Sequence, residues 1–155
     1  MFNHAPKNYK CPICSIINSE DTSTGAKVSD IFYKDEFVTG FMGFKEWPNN
    51  PINTIISPNK HFENLYDLPE EYGHKIFDFS KKLAITLKEI YKCDGISTRQ
   101  HNEPAGQQDA FHYHMHVTPR FKNDNLYQNQ KMSVITPAEE RAKYALKIRE
   151  YFESH

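Results

Sequence analysis

Three histidines stand at two-residue spacing, His112, His114 and His116, inside the run from Ala110 to Pro119. In an extended strand, alternate side chains leave on opposite faces. The spacing therefore predicts three imidazoles on one face and Phe111, Tyr113, Met115 and Val117 on the other. On a helix, neighbouring rings would be turned by about 200° from each other, which builds no simple site. The β-branched and aromatic neighbours, with Pro119 closing the run, favour the strand. Three imidazoles together can hold a metal, or surround an anion while one of them acts as nucleophile. With an ordinary pKa of about 6.5, imidazole is available in its neutral, nucleophilic form at neutral pH. Attack at phosphorus also needs donors for the non-bridging oxygens. The loop ahead of the run offers Asn102, Gly106, Gln107 and Gln108.

A second group with chemistry is Cys11-Pro-Ile-Cys14. The chain has 3 cysteines, an odd number and a poor disulfide framework. In a reducing compartment such a pair is half of a zinc site or a redox couple. A thioredoxin-type couple needs a strand-to-helix junction inside a βαβ pattern. No strong strand pattern precedes Cys11, so zinc is the preferred reading. Cys93, at the end of a helical stretch, reads as a small core or helix-end residue.

The elements that must position these groups follow from patterning. Residues 19–26 read as an exposed loop. Strands are expected around Asp30 to Lys34, Phe37 to Met42, Ile52 to Ser57 and Gly95 to Asn102. Ile76, Phe79, Leu83, Leu87 and Ile90 recur on one helical face. Asp67 is the expected cap of that helix, with Pro69 in its first turn. After Arg120 a polar stretch reads as a surface excursion. Thr136-Pro137-Ala138-Glu139 opens a terminal helix over about 137–154, with Thr136 as cap and Ala145, Ile148 and Phe152 on one face. The order implies one α+β domain over 1–155 with a mostly antiparallel sheet of about five strands, one long helix and a C-terminal helix.

Composition narrows the function classes. A formal charge of -1 argues against a polymer-wrapping nucleic-acid surface, though not against a small phosphorylated ligand. No apolar run approaches the roughly 20 residues of a membrane span, and the N-terminus lacks the apolar stretch of a secretory signal. The expected location is cytoplasmic.

The segment from Asn102 to Arg120 resembles the signature of the histidine triad (HIT) superfamily, His-φ-His-φ-His-φ-φ (φ apolar), preceded by a Gly/Gln loop. Cys11-Pro-Ile-Cys14-Ser-Ile-Ile is similar to the Cys-x-x-Cys opening common in bacterial members. Phe41-Met42, the stretch Ile55 to His61 and the stretch Asn64 to Leu68 fall in the family's order, so the likeness spans about Lys10 to Arg120. It implies a HIT-like fold and hydrolysis or transfer of a nucleotidyl group at a phosphoanhydride or phosphoramidate bond. His114 would attack the α-phosphorus and form a nucleotidyl-histidine intermediate, with His112 and His116 orienting it and binding phosphate oxygens. Asn102 and Gln108 match positions that contact phosphate or the scissile bridge, and Phe41 a position lining the nucleoside pocket. In members with this opening, a structural zinc is held by residues matching Cys11, Cys14, His61 and His112, with an N-terminal segment of about 8–18. Homodimers are common in the family; no organic cofactor is implied.

Three positions depart from the family pattern. Asn53 stands where relatives carry a fourth histidine, Gly43 where many carry a ribose-binding Asp, and Asp109 where a Ser or Thr hydroxyl serves the leaving group. The alternative is therefore a zinc-stabilised nucleotide- or anion-binding protein with little turnover.

Overall fold

The computed structural model describes residues 2–22 and 25–155. Ser23 and Thr24, within the loop expected over 19–26, lie outside the described residues. In chain order the elements are α1 (Pro12–Ile17), β1 (Ile31–Lys34), β2 (Val38–Met42), β3 (Lys45–Glu46), β4 (Thr54–Pro58), α2 (Glu70–Tyr91), β5 (Gly95–Gln100), β6 (Met115–Arg120), β7 (Val134–Ile135) and α3 (Ala138–Ser154). Five strands pair antiparallel in the order β1-β2-β4-β6-β5, and β3 pairs with β7 apart from them. This is the expected α+β architecture, a five-stranded antiparallel sheet with one long helix and a C-terminal helix.

One face of the five-stranded sheet is the core. Ile76, Phe79, Leu83 and Leu87 of α2 bury against Val38, Met42, Ile56 and Val117. Each such side chain contributes about 1.5–3 kcal/mol when fully buried. Ala145 and Ile148 of α3 join this cluster, and Phe152 packs beside Tyr33 and Phe79. Cys93 is buried just past α2.

The helix starts differ from the sequence expectation. Pro69 is the boundary residue of α2 in an extended conformation (φ −62°, ψ 145°), and no side chain caps the helix. A proline disfavours helical geometry in the residue before it. Leu68 therefore cannot enter the helix, and Asp67 is too early to cap it. Pro137 plays the same part for α3, which begins at Ala138 without a side-chain cap. Thr136 instead accepts Nη1 of Arg141 through its carbonyl at 2.6 Å.

Arg141 also donates through Nε to Asp30 at 2.9 Å, an ion pair buried on both sides. It pins α3 to the start of β1. The excursion after Arg120 is likewise anchored. Asp124 is buried, receives Nε and Nη2 of Arg120 at 2.7 and 2.6 Å, and receives Nδ2 of Asn50 at 3.0 Å. Those donors, Arg120 first, hold its carboxyl well below the usual carboxylate range. Leu126 is buried as well, so this polar stretch is part of the fold and not merely its surface. The reason lies in pairing: a carboxylate with an arginine and an amide around it can be buried where a lone one cannot.

Candidate active site and metal cluster

The second face of the sheet carries the chemistry. Strand register aligns Ile31 with Phe41, Phe41 with Ile55, Ile55 with His116, and His116 with Arg99. Residues directly opposite one another point to the same side of a sheet. One row therefore runs from apolar side chains through an imidazole to a guanidinium.

The three histidines do not share that face as spacing alone implies. Regular strand geometry begins only at Met115. The His112 N–H donates to the Ala110 carbonyl at 2.9 Å, and that of Tyr113 to Phe62 at 2.6 Å. This turn takes the His112 ring away from the other two. It is fully buried and lies edge-on to His61, with ring centroids 4.8 Å apart. His114 and His116 face each other at 5.3 Å and line a cavity of about 340 Å³.

The His112 side forms a metal-type cluster. One ligand atom each from Cys11, Cys14, His61 and His112 lies within 4.8 Å of all the others. His112 Nδ1 stands 3.4 Å from both cysteine sulfurs, and His61 Nδ1 stands 3.4 Å from Cys14 Sγ. Zinc bonds of about 2.3 Å to sulfur and 2.0–2.1 Å to nitrogen give a tetrahedral S-to-N edge of about 3.6 Å. The second ring nitrogen of His112, Nε2, meets the Pro58 carbonyl at 3.0 Å. A carbonyl only accepts, so Nε2 carries the proton and Nδ1 presents its lone pair to the sulfurs. Burial and the adjacent His61 push His112 down to about 3, which keeps it neutral, the ligand form. Burial and Cys11 push the Cys14 thiol up to about 12, so the pair resists becoming two thiolates without a cation between them. The cysteines are positioned by α1, whose N-cap is Cys11. The donor set fits zinc.

The other two histidines hold the opposite tautomer. His114 Nδ1 meets the His112 carbonyl at 2.7 Å, so Nδ1 carries the proton and Nε2 the lone pair. His116 Nδ1 meets Asn53 Oδ1 at 2.9 Å, and the Asn53 amide nitrogen donates to the Lys45 carbonyl at 3.3 Å. Burial lowers the pKa of His114, and burial with the neighbouring His114 lowers that of His116 further, so both rings are neutral near pH 7.

Of the other expected contact residues, Phe41 and Asp109 line the cavity. Asn102 and Gln108 do not. Gln108 donates to the Glu63 and Ala110 carbonyls at 2.6 and 3.1 Å and accepts the Glu103 N–H at 2.7 Å. Asn102 accepts the Leu65 N–H at 2.8 Å and exchanges hydrogen bonds with Gln100. Both amides brace the loop that leads into the histidines. The cavity gains Arg99, Lys45, Trp47, His101 and Gln130, none of them singled out in the sequence. Only the strand register puts Arg99 beside His116, and no local motif marks it.

Two of the departures from the family pattern are one feature. A Cβ on Gly43 would lie 2.3 Å from Asn53 Nδ2 and 2.8 Å from its Cγ. The amide that holds His116 occupies the space that a side chain at position 43 would need. Gly43 and Asn53 are therefore matched to each other.

Comparison with known proteins accords with this geometry. The family model "HIT domain" matches residues 24–123. A Bacillus subtilis (strain 168) protein, "Protein hit", is 31% identical over 118 residues, covering 76% of this chain and 74% of its own. A bis(5'-adenosyl)-triphosphatase of Dictyostelium discoideum is 24% identical over 133 residues, 82% of this chain and 88% of its own. The crystal structure of a HIT-like protein from Bartonella henselae superposes with a TM-score of 0.73 at 29% identity, covering 94% of this chain and 98% of that one. A zinc-bound histidine triad protein of Mycobacterium smegmatis also gives 0.73, at 21% identity over 94% of this chain and 98% of that one, a likeness of fold. Among the described residues, no helix is long and apolar enough to cross a membrane.

Proposed function

Since this chain belongs to the HIT-domain family, we propose that it hydrolyses or transfers a nucleotidyl group at a phosphoanhydride or phosphoramidate bond through His114. The observation that carries this reading is the 2.7 Å contact between His114 Nδ1 and the His112 carbonyl. It leaves Nε2 as the nucleophilic nitrogen of a neutral ring in the wall of a cavity. Nε2 attacks the α-phosphorus and a phosphorus–nitrogen bond forms. The bond to the leaving group breaks, and the leaving group keeps the electron pair. Water then attacks the same phosphorus, the phosphorus–nitrogen bond breaks, and the water's proton passes to solvent. His116, held by Asn53, contacts the non-bridging oxygens. The similarity to a bis(5'-adenosyl)-triphosphatase supports a nucleotide substrate.

Zinc at Cys11, Cys14, His61 and His112 belongs to the same reading, as a structural ion. Four protein donors close a tetrahedral set and leave no position for substrate. His112 then acts by position only: it presents its carbonyl to His114 while its ring holds the metal.

The test is turnover of an adenosine phosphoramidate and of diadenosine polyphosphates by the wild-type protein and by His114→Ala. Turnover lost in the variant is the expected result. Equal, negligible turnover by both proteins would sink the enzyme reading for these substrates. A second reading, binding with little turnover, is favoured by one observation: Asp109 brings a carboxylate into the cavity wall.

A further inference from the structure

We propose that Arg99 is the binding residue for the leaving group, and that the preferred substrate is one whose leaving group carries a phosphate. The inference rests on the hydrolase reading and sharpens it. The row across the sheet has a direction. Phe41 and Ile55 pack with Ile13, Ile16 and Ala26 in an apolar cluster that forms one wall of the cavity. His116 comes next in register, and Arg99 after it. A nucleoside seated on the apolar wall, with its α-phosphate at His114 and His116, has its leaving group directed toward Arg99.

Arg99 is also equipped for this. Among the described residues no carboxylate pairs with its guanidinium, and its Nε is buried without a hydrogen-bond partner. A buried donor left without an acceptor is destabilising, and an anionic ligand would relieve it. The guanidinium lies 5.8 Å from the centre of the Trp47 ring, whose indole N–H donates to the Gln130 carbonyl at 3.1 Å. Gln130 in turn donates to Gln107 at 3.3 Å. Arg99 is thus held against a wall fixed by the chain that follows β6. Lys45 adds a second cation to the lining.

The charge of the leaving group is what Arg99 can tell apart. An amine leaving group needs a proton, and a protonated amine is repelled by a guanidinium. A departing phosphate needs none. When the bridging phosphorus–oxygen bond breaks, the electron pair stays on that oxygen, and the new charge faces Arg99.

Two substrates with the same nucleotidyl group test this: diadenosine triphosphate and adenosine 5'-phosphoramidate, with wild type, Arg99→Gln and Arg99→Lys. Arg99→Gln is expected to lower kcat/KM for the triphosphate at least about tenfold more than for the phosphoramidate, and Arg99→Lys to recover part of the difference. Equal losses on both substrates, or none, would overturn the assignment. If wild type turns over neither substrate, the hydrolase reading fails and binding decides the role of Arg99. The probes are then AMP and adenosine 5'-(α,β-methylene)diphosphate, measured by calorimetry. Arg99 stands if wild type prefers the diphosphate and Arg99→Gln loses the preference. It falls if both proteins show the same ratio.

Discussion

His112 and His114 are two residues apart and chemically identical, yet their rings belong to two different clusters. His112 gives its Nε2 proton to the Pro58 carbonyl and turns Nδ1 toward two cysteines. His114 gives its Nδ1 proton to the carbonyl of His112 and keeps Nε2 for the cavity. The difference lies in which ring nitrogen finds a backbone acceptor. A carbonyl is a fixed acceptor, so it selects a tautomer and with it a function. The two-cysteine, two-histidine cluster and the cavity are thus coupled through one peptide: the carbonyl that orients the His114 ring belongs to the residue whose own ring completes the cluster.

That contrast can be broken at several points. The largest effect is expected at His114. His114→Ala should lower kcat at least about 1,000-fold while zinc content, read by atomic absorption, stays at the wild-type value. A variant that loses zinc as well would merge the two sites. The Cys11→Ser, Cys14→Ser double variant is expected to bring bound zinc near zero and to lower the unfolding free energy by at least about 3 kcal/mol. Metal content unchanged from wild type would refute the cluster as a zinc site.

A smaller effect tests the match between Gly43 and Asn53. Gly43→Ala pushes the Asn53 amide off His116 and should lower kcat/KM about tenfold. In an Asn53→Ala background the same change should cost far less, because the colliding atoms are gone. Additive effects would show that the two positions are independent.

The smallest concerns pH. Burial and His114 hold His116 well below its ordinary value in the folded chain. The unfolded chain titrates at about 6.5. Below that pH the unfolded state binds a proton that the folded state does not, so stability falls as pH falls, by up to about 1.4 kcal/mol per pH unit for one such group. Urea unfolding at pH 7.5 and 5.5 should show a smaller drop for His116→Asn than for wild type. Equal drops would remove His116 from the acid sensitivity.

Much of the fold was legible because it rests on local periodicity. The apolar face of α2 recurs from Ile76 to Ile90; Ile76, Phe79, Leu83 and Leu87 are buried, and Ile90 packs half-buried against the same core. The turn chemistry was less legible. Asp67 and Thr136 have the residue types of caps, but a proline stands between each and its helix and shifts the start. The excursion after Arg120 looked solvated because its residues are polar. Asp124 is buried only because Arg120 and Asn50, the latter from a distant turn, converge on it.

By itself, the sequence determined which groups could do chemistry: three imidazoles at period two, a Cys-x-x-Cys pair, and an ordered set of landmarks that fits one family. Tertiary structure decided how those groups were shared out. The turn at His112 assigned one ring to the cysteines, which lie some hundred residues earlier along the chain. The register of five strands set Phe41, Ile55, His116 and Arg99 in one row, and the collision at Gly43 tied two separate departures into one. The physical reason is that periodicity is carried by neighbouring residues, whereas register, tautomer and close approach depend on atoms from distant segments that meet only in the folded chain.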